Sequence, residues 1–160
     1  MNEKPADNVN VIALPPFIFL GFFIVGFILH YFFRLFLVES PRLDSILNVI
    51  CTVLIVVSLI LPVLAFKTLE RSKTTHKVSK PTTAIVSVGI FRYSRNPIYL
   101  SGFILFIGIS FITNSLIMLI LIIPLFFVIR EGVVKREEKY LEWKFGKEYL
   151  DYKKQVRRWI

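Results

Sequence analysis

The chain has 160 residues, 55% of them hydrophobic and 16 of them Phe, yet it carries 20 Lys+Arg against 11 Asp+Glu, for a net charge of +9. The apolar fraction exceeds the roughly 45–50% of soluble globular domains and excludes a disordered chain, which lacks the apolar residues for a core. A single cysteine, Cys51, excludes an internal disulfide framework and a cysteine-ligated metal site.

Formal charge is missing from three blocks: 26 residues between Asp7 and Arg34, 22 between Asp44 and Lys67, and 34 between Arg95 and Arg130. A membrane-spanning helix needs about 20 mainly apolar residues, so the blocks read as membrane segments. In the first, the apolar run Leu14 to Val38 is longer than the roughly 7–15 residues of a signal-peptide core, and no small-residue cleavage site follows it. It is expected to be a retained span, with Pro15 and Pro16 in its first turn, where proline is tolerated. The second span is expected from about Ile46 to Phe66, with a kink at Pro62. The third block is too long for one span and short for two. Thr113-Asn114-Ser115 in its middle is a polar turn signal, which suggests two short helices, Ile98 to Ile112 and Leu116 to Ile129, in a hairpin. The alternative is one long, flawed helix.

The basic residues lie in two segments. Residues 67–97 hold seven Lys/Arg and one Glu, and residues 130–160 hold ten Lys/Arg and six acids. The positive-inside rule makes both cytoplasmic, and two spans before them put the N-terminus on the same side. The fold class is therefore an all-α integral membrane protein with about four transmembrane or membrane-embedded helices. Two N-terminal spans and one short hairpin precede a cytoplasmic C-terminal helical segment. The chain divides into 1–66, the two-span region, and 67–160, which holds the loop, the hairpin 98–129 and the C-terminal helix. In a bacterium the location would be the inner membrane. Nucleic acid is not an expected partner, because the basic segments abut bilayer spans. Attraction to anionic lipid headgroups explains the sign of the charge, but not the pattern of residues within it.

In the first basic segment a β-prone run, Thr83 to Val88, leads through Gly89 into Phe91-Arg92-Tyr93-Ser94-Arg95-Asn96-Pro97-Ile98-Tyr99, with Pro97 as a first-turn residue of the next helix. Tyr and Arg here also suit simple interfacial anchoring. In the second segment, Arg130, Val134, Glu137, Leu141 and Phe145 recur at spacings of three and four, one face of a helix. The helix is expected to break or bend near Gly146. Spacing alone favours Glu137 and Glu138 as ordinary ion-pair partners on a solvated helix. Tyr149, Tyr152, Val156 and Trp159 among lysines fit an interfacial amphipathic helix. No phosphate loop, metal-spaced His/Cys cluster or Ser/His/Asp arrangement stands out.

Residues 82–100, TTAIVSVGIFRYSRNPIYL, together with Glu137-Glu138, Leu141, Phe145-Gly146-Lys147-Glu148-Tyr149, Tyr152 and Val156-Arg157-Arg158, resemble the two-part signature of the isoprenylcysteine carboxyl methyltransferase and phospholipid methyltransferase superfamily. Both halves, their order and the intervening hairpin match, over about residues 76–160. The resemblance implies an integral membrane methyltransferase using S-adenosyl-L-methionine, enclosed between membrane helices and the C-terminal segment. It makes 67–160 the catalytic region. Carried over by position, cofactor contacts would fall at His76, at Thr83, Ala84, Ile85 and Val86, and at Phe91. They would continue at Asn96, Pro97, Ile98 and Tyr99, and at Glu137. The family's usual histidine is Asn96 here, whose side chain can still accept or donate a hydrogen bond. The family's substrate-contacting arginine falls at Val133, so Arg130, a turn back, is the candidate substitute.

Methyl transfer from a sulfonium is an in-line displacement that neutralises charge, so the protein must mainly orient the reactants and exclude water. A carboxylate acceptor needs a cation to hold it, for which Arg130, or Arg95 or Arg92, is suited. An amine acceptor would have to lose a proton, which suits Glu137 or Glu138 as base. Carboxyl O-methylation of a hydrophobic, lipid-like acceptor leads; phosphatidylethanolamine-type lipid N-methylation and a non-enzymatic membrane protein are the alternatives. The catalytic candidates are thus Arg130, Glu137, Glu138 and Arg95. The expected partners are the acceptor and membrane lipids.

Overall fold

The computed structural model describes residues 12–72 and 84–160, with the backbone alone at 41–44. The described residues form six α-helices: α1 (Pro15–Phe33), α2 (Pro41–Arg71), α3 (Pro97–Ile112), α4 (Leu116–Ile129), α5 (Lys135–Phe145) and α6 (Lys147–Gln155). A short 3-10 turn covers Gly89–Arg92, and a π turn, Arg130–Val134, joins α4 to α5. Among the described residues the only extended pairing is an isolated bridge between Phe36 and Ser115. The β-prone run therefore does not become a strand: 84–88 is irregular, and Thr83 lies outside the described residues.

Prolines set three of the helix starts. Pro15, Pro41 and Pro97 occupy the first turns of α1, α2 and α3, where an amide hydrogen has no intrahelical acceptor. α2 extends well past the expected span at both ends and continues through Pro62 without interruption. By length and composition, three helical stretches can cross a membrane: Pro15–Phe33, Ser45–Arg71 and Leu116–Phe145, while the apolar α3 is shorter. The chain is accordingly an all-helical membrane protein.

The charge-free third block is a hairpin, as the polar turn suggests. Asn114 sits at φ 48°, in the left-handed region that asparagine tolerates better than most residues. Its Oδ1 accepts from the Leu37 and Val38 amides, both at 3.0 Å, and its Nδ2 donates to the Val38 carbonyl at 2.7 Å. Ser115 then caps α4, its hydroxyl oxygen accepting from the Met118 amide. One asparagine thus closes the α3–α4 turn and pins it to the chain leaving α1.

The second arm does not stop at Ile129. The π turn keeps the chain helical, so α4 and α5 form one 30-residue rod, Leu116–Phe145. This corrects the expected face of Arg130, Val134, Glu137, Leu141 and Phe145. A π turn adds a residue to a helical turn, so everything beyond it is rotated by roughly 100°, one residue's step, from the phase a regular helix would give. Arg130 and Glu137 no longer share a stripe.

α3 packs between α2 and α4, and α1 lies against α4. Close approach depends on small residues. At Gly102 a Cβ would lie within 2.6–2.9 Å of the Phe19 ring of α1, and at Gly108 within 2.9 Å of Ile55 of α2. The main core joins Phe103 and Phe106 of α3 to Met118, Leu125 and Ile129 of α4 and to Val133 and Val134 of the π turn.

The C-terminal aromatics are not spread on a lipid surface, which corrects the interfacial-helix expectation. Tyr149, Tyr152 and Val156 form a second buried cluster with Ile85, Leu141 and Phe145. Trp159 packs on the rings of Phe103 and Phe126, with centroids 5.5 and 5.6 Å away. The chain folds inward because Gly146, at φ 53° and ψ −122°, ends α5 and redirects α6 against it.

Replacing Asn114 by Ala removes the three hydrogen bonds and strains the left-handed position. The expected loss is about 1–3 kcal/mol, read as a lower unfolding midpoint in detergent. An unchanged midpoint would contradict this account of the turn.

Candidate functional site

Two stretches far apart in sequence meet at the head of α3. The first is the chain 84–99 leading into that helix. The second is α5, α6 and the residues after them. Tyr152 donates its hydroxyl to the Phe91 carbonyl at 2.7 Å. The Arg95 amide donates to the Arg157 carbonyl at 3.1 Å. The Ser94 hydroxyl and the Asn96 side-chain amide both donate to the Arg158 carbonyl, at 3.4 and 3.0 Å. Irregular backbone can run here because each of these polar groups finds a partner.

At the centre lie two carboxylates adjacent in sequence and different in surroundings. Glu138, 5% exposed, sits between two guanidiniums. Arg158 forks onto it, Nε to Oε1 at 2.9 Å and Nη2 to Oε2 at 2.7 Å, and Arg95 Nη1 lies 3.1 Å from Oε1. The planar fork matches the carboxylate geometry, and the bonds to Glu138 hold the Arg158 proton more tightly than in a free arginine. Arg95 Nη1 also donates to the Tyr149 hydroxyl at 3.2 Å. Glu137 is partly buried, and its Oε1 accepts the Tyr99 hydroxyl at 2.6 Å. This bond runs from the first turn of α3 to the first turn of α5, across the whole hairpin.

Of the sequence-derived residues, Ile85, Val86, Phe91, Arg95, Asn96, Pro97, Tyr99, Glu137 and Glu138 are brought to this region, with Val86 and Pro97 buried. Ile98 follows Pro97 in the first turn of α3, and Ala84 is exposed at the start of the described loop. His76 and Thr83 lie outside the described residues. Neither glutamate is an ordinary partner on a solvated helix: one is clamped by arginines from other segments and the other by a tyrosine. Arg130 stands apart, 3.5 Å from the exposed Glu131, and among the described residues no hydrogen bond or ion pair joins it to Glu137. Val133, at the position where the family resemblance puts an arginine, is fully buried in the core. Arg158, Tyr149 and Ser94 lie within the stretches that resemble the signature but are not among the sequence-derived site residues. Arg158 in particular is one of ten basic residues in its segment, and spacing does not single it out.

The donor set can be tested against the cofactor that the resemblance implies. S-adenosylmethionine carries an ammonium and a carboxylate on one carbon, and two ribose hydroxyls. Glu137 Oε2 is left to accept from an ammonium or hydroxyl while Oε1 serves Tyr99. Arg95 Nε is buried and has no hydrogen-bond partner among the described residues, a donor still to be satisfied by an acceptor oxygen. One carboxylate and one guanidinium hydrogen, on adjoining elements, fit a zwitterion. No group of three or more His, Cys, Asp or Glu able to hold a metal ion occurs among the described residues.

Burial and the Glu138 charge push the Tyr149 hydroxyl from its ordinary value of 10.0 up to about 12. The native state therefore holds this proton longer than the unfolded chain. The associated stability is complete below about pH 10 and is lost as pH rises toward about 12. Tyr149→Phe should lose less unfolding free energy than wild type between about pH 9 and about pH 12, measured by denaturant unfolding in detergent. Parallel losses in the two proteins would refute the assignment.

The phospholipid methyltransferase family pattern matches residues 46–148, from within α2 to the second residue of α6. Among solved structures, the eukaryotic intramembrane Ras methyltransferase isoprenylcysteine carboxyl methyltransferase is similar, with a TM-score of 0.63 and 25% identity over 88% of this chain. The chain spans 50% of that protein's length. An uncharacterized protein of Haemophilus influenzae is 58% identical over 33 residues, 21% of this chain and 52% of that protein. The matched pattern covers most of the chain and includes both glutamates, the Tyr99 helix and the hairpin between them, so the chain belongs to the phospholipid methyltransferase family.

Proposed function

We propose that this protein is a membrane-embedded, S-adenosylmethionine-dependent methyltransferase acting on a hydrophobic or lipid-like acceptor, with carboxyl O-methylation as the leading reaction. The observation that carries the reading is the Tyr99–Glu137 bond. It joins the two halves of the family signature across the hairpin, and it leaves one carboxylate oxygen for a cationic or hydroxyl ligand. In this reading α3 and α4 form a membrane-embedded hairpin beside two spans, four helices in all. At 16 residues α3 is about 24 Å long, short of the roughly 30 Å hydrocarbon core, so the site at its head lies at the bilayer edge. The basic segments and both termini face the cytoplasm, at the inner membrane in a bacterium. Lipids surround the apolar faces of α1 and α2.

S-adenosylmethionine would supply an electrophilic methyl group on a cationic sulfonium. Glu137 binds its ammonium or ribose hydroxyls, held at a fixed angle by Tyr99. Asn96, Pro97 and Ile98 shape the backbone beside it, and Ile85, Val86 and Phe91 cover it from the loop. Arg95 offers its spare Nε hydrogen to a carboxylate oxygen. Arg130, paired among the described residues with the exposed Glu131 at the helix rim, is available to orient the acceptor's carboxylate bidentately. Glu138 is held by two guanidiniums and is better suited to fixing them than to taking a proton.

A second reading, lipid N-methylation, has one observation in its favour: Glu137 is the carboxylate that no arginine holds, so it can accept a proton from an ammonium group. Radiolabelled methyl incorporation in purified membranes separates the two, using a panel of a prenylcysteine analogue, phosphatidylethanolamine and small thiols. A non-enzymatic protein of the same fold would show no S-adenosylmethionine binding in a detergent titration.

Glu137→Ala is expected to lower methyl transfer about 100-fold or more while membrane insertion persists, and Tyr99→Phe about tenfold. Lys144→Ala should lose less, because Lys144 bonds to the Tyr140 hydroxyl, 3.0 Å from its Nζ, and among the described residues makes no bond to Glu137 or Tyr99. Near-normal activity in Glu137→Ala would sink the assignment.

A further inference from the structure

We propose that Arg158 is a positioning residue for the cofactor site, setting the gap between the head of α3 and the first turn of α5. The proposal rests on the methyltransferase reading and extends it to a residue beyond the matched stretch 46–148, one to which the resemblance gives no role.

Arg158 faces two ways. Its carbonyl accepts from Asn96 and Ser94, which immediately precede α3. Its guanidinium forks onto Glu138 of α5. The residues on either side repeat the bridge: the Arg157 carbonyl takes the Arg95 amide, and the Trp159 ring wedges between Phe103 of α3 and Phe126 of α4. Tyr99 lies one turn beyond Asn96, and Glu137 lies beside Glu138. The Tyr99–Glu137 pair therefore sits between the same two elements that Arg158 ties together.

The tie is electrostatic as well as geometric. Glu138 is nearly sealed from solvent, and Arg95 alone gives it one contact at 3.1 Å. The bidentate grip, which fixes direction as well as distance, comes from Arg158. The chain holding Arg158 has no helix of its own, because α6 ends at Gln155. Its position therefore depends on these contacts. Without the fork, Glu138 would draw Arg95 fully to itself, and the Arg95 Nε hydrogen and Glu137 would lose their fixed relation.

The test compares wild type, Arg158→Gln and Arg158→Lys in two measurements. The first is S-adenosylmethionine binding and the cofactor KM. The second is the distance between spin labels at exposed Tyr93→Cys and Lys139→Cys in a Cys51→Ala background, read by pulsed electron resonance. Arg158→Gln should raise the cofactor Kd and KM about tenfold, with a smaller change in kcat, and should broaden the distance distribution. Arg158→Lys, which keeps the charge but not the fork, should recover part of the affinity while the distance distribution stays broader than in wild type. Glu138→Gln should reproduce the Arg158→Gln pattern from the other side, and serves if Arg158→Gln does not fold. An Arg158→Gln protein that is less stable, yet has wild-type cofactor affinity and spacing, would overturn the proposal and leave Arg158 a purely structural role. If wild type binds no S-adenosylmethionine, the methyltransferase reading fails and the cofactor role of Arg158 fails with it. In that case a narrow wild-type distribution shows that the tie itself is intact, and the two failures stay distinct.

Discussion

A carboxylate buried without a cation is too costly to persist, and Glu138 is the residue around which that requirement is met. Two arginines from different parts of the chain converge on it. Removing either partner from such a buried arrangement destabilises by about 3–5 kcal/mol in comparable cases, chiefly because charge is left uncompensated. Satisfying Glu138 brings the loop before α3, the rod of α4 and α5, and the final residues to one point. The Tyr99–Glu137 pair, the packing of Trp159 on the hairpin aromatics and the burial of Tyr149 and Tyr152 all lie around that convergence. A hydrophobic core alone would hold the same helices together with less definition, since apolar contacts are non-directional and a bidentate ion pair is not.

Much of the architecture was legible because the membrane imposes simple rules. Charge-free blocks marked the apolar helices, prolines marked the starts of α1 and α3, and a Thr-Asn-Ser triplet marked the hairpin turn. What escaped had no compositional mark. The π turn is built from Arg130, Glu131, Gly132, Val133 and Val134, which read equally well as regular helix. Its effect is a shift of phase, and a shift of phase defeats any argument from spacings of three and four. The C-terminal aromatics misled for a different reason. Tyr and Trp among lysines suit a lipid interface and a protein interior equally, and only the redirection at Gly146 decides between them.

The candidate site divides along similar lines. Glu137, Tyr99 and Asn96 were reached through the two-part signature, whose halves the structure brings into contact. Glu137 and Glu138 looked alike in sequence, and their neighbours separate them: a tyrosine hydroxyl for one, two guanidiniums for the other. Arg158 lies within the second half of that signature, but it is one of ten basic residues in its segment, and neither spacing nor composition gives it a role. Val133 shows the reverse. Position alone would give it an arginine's role, and its full burial beside Ile129 and Val134 gives it a packing one.

The continuity of Leu116 to Phe145 ties the site to the bilayer in a mechanical sense. Thirty helical residues at about 1.5 Å each make a rod some 45 Å long. In the membrane reading proposed above, its apolar half lies among lipid tails, and the other half carries Glu137. A rod cannot tilt at one end only. A thinner membrane leans the apolar half to bury its length, and the same lean swings the glutamate about the π turn relative to Tyr99 on the shorter neighbouring helix. Bilayer thickness thereby becomes a variable of the site's geometry, set by the lipids rather than by the sequence.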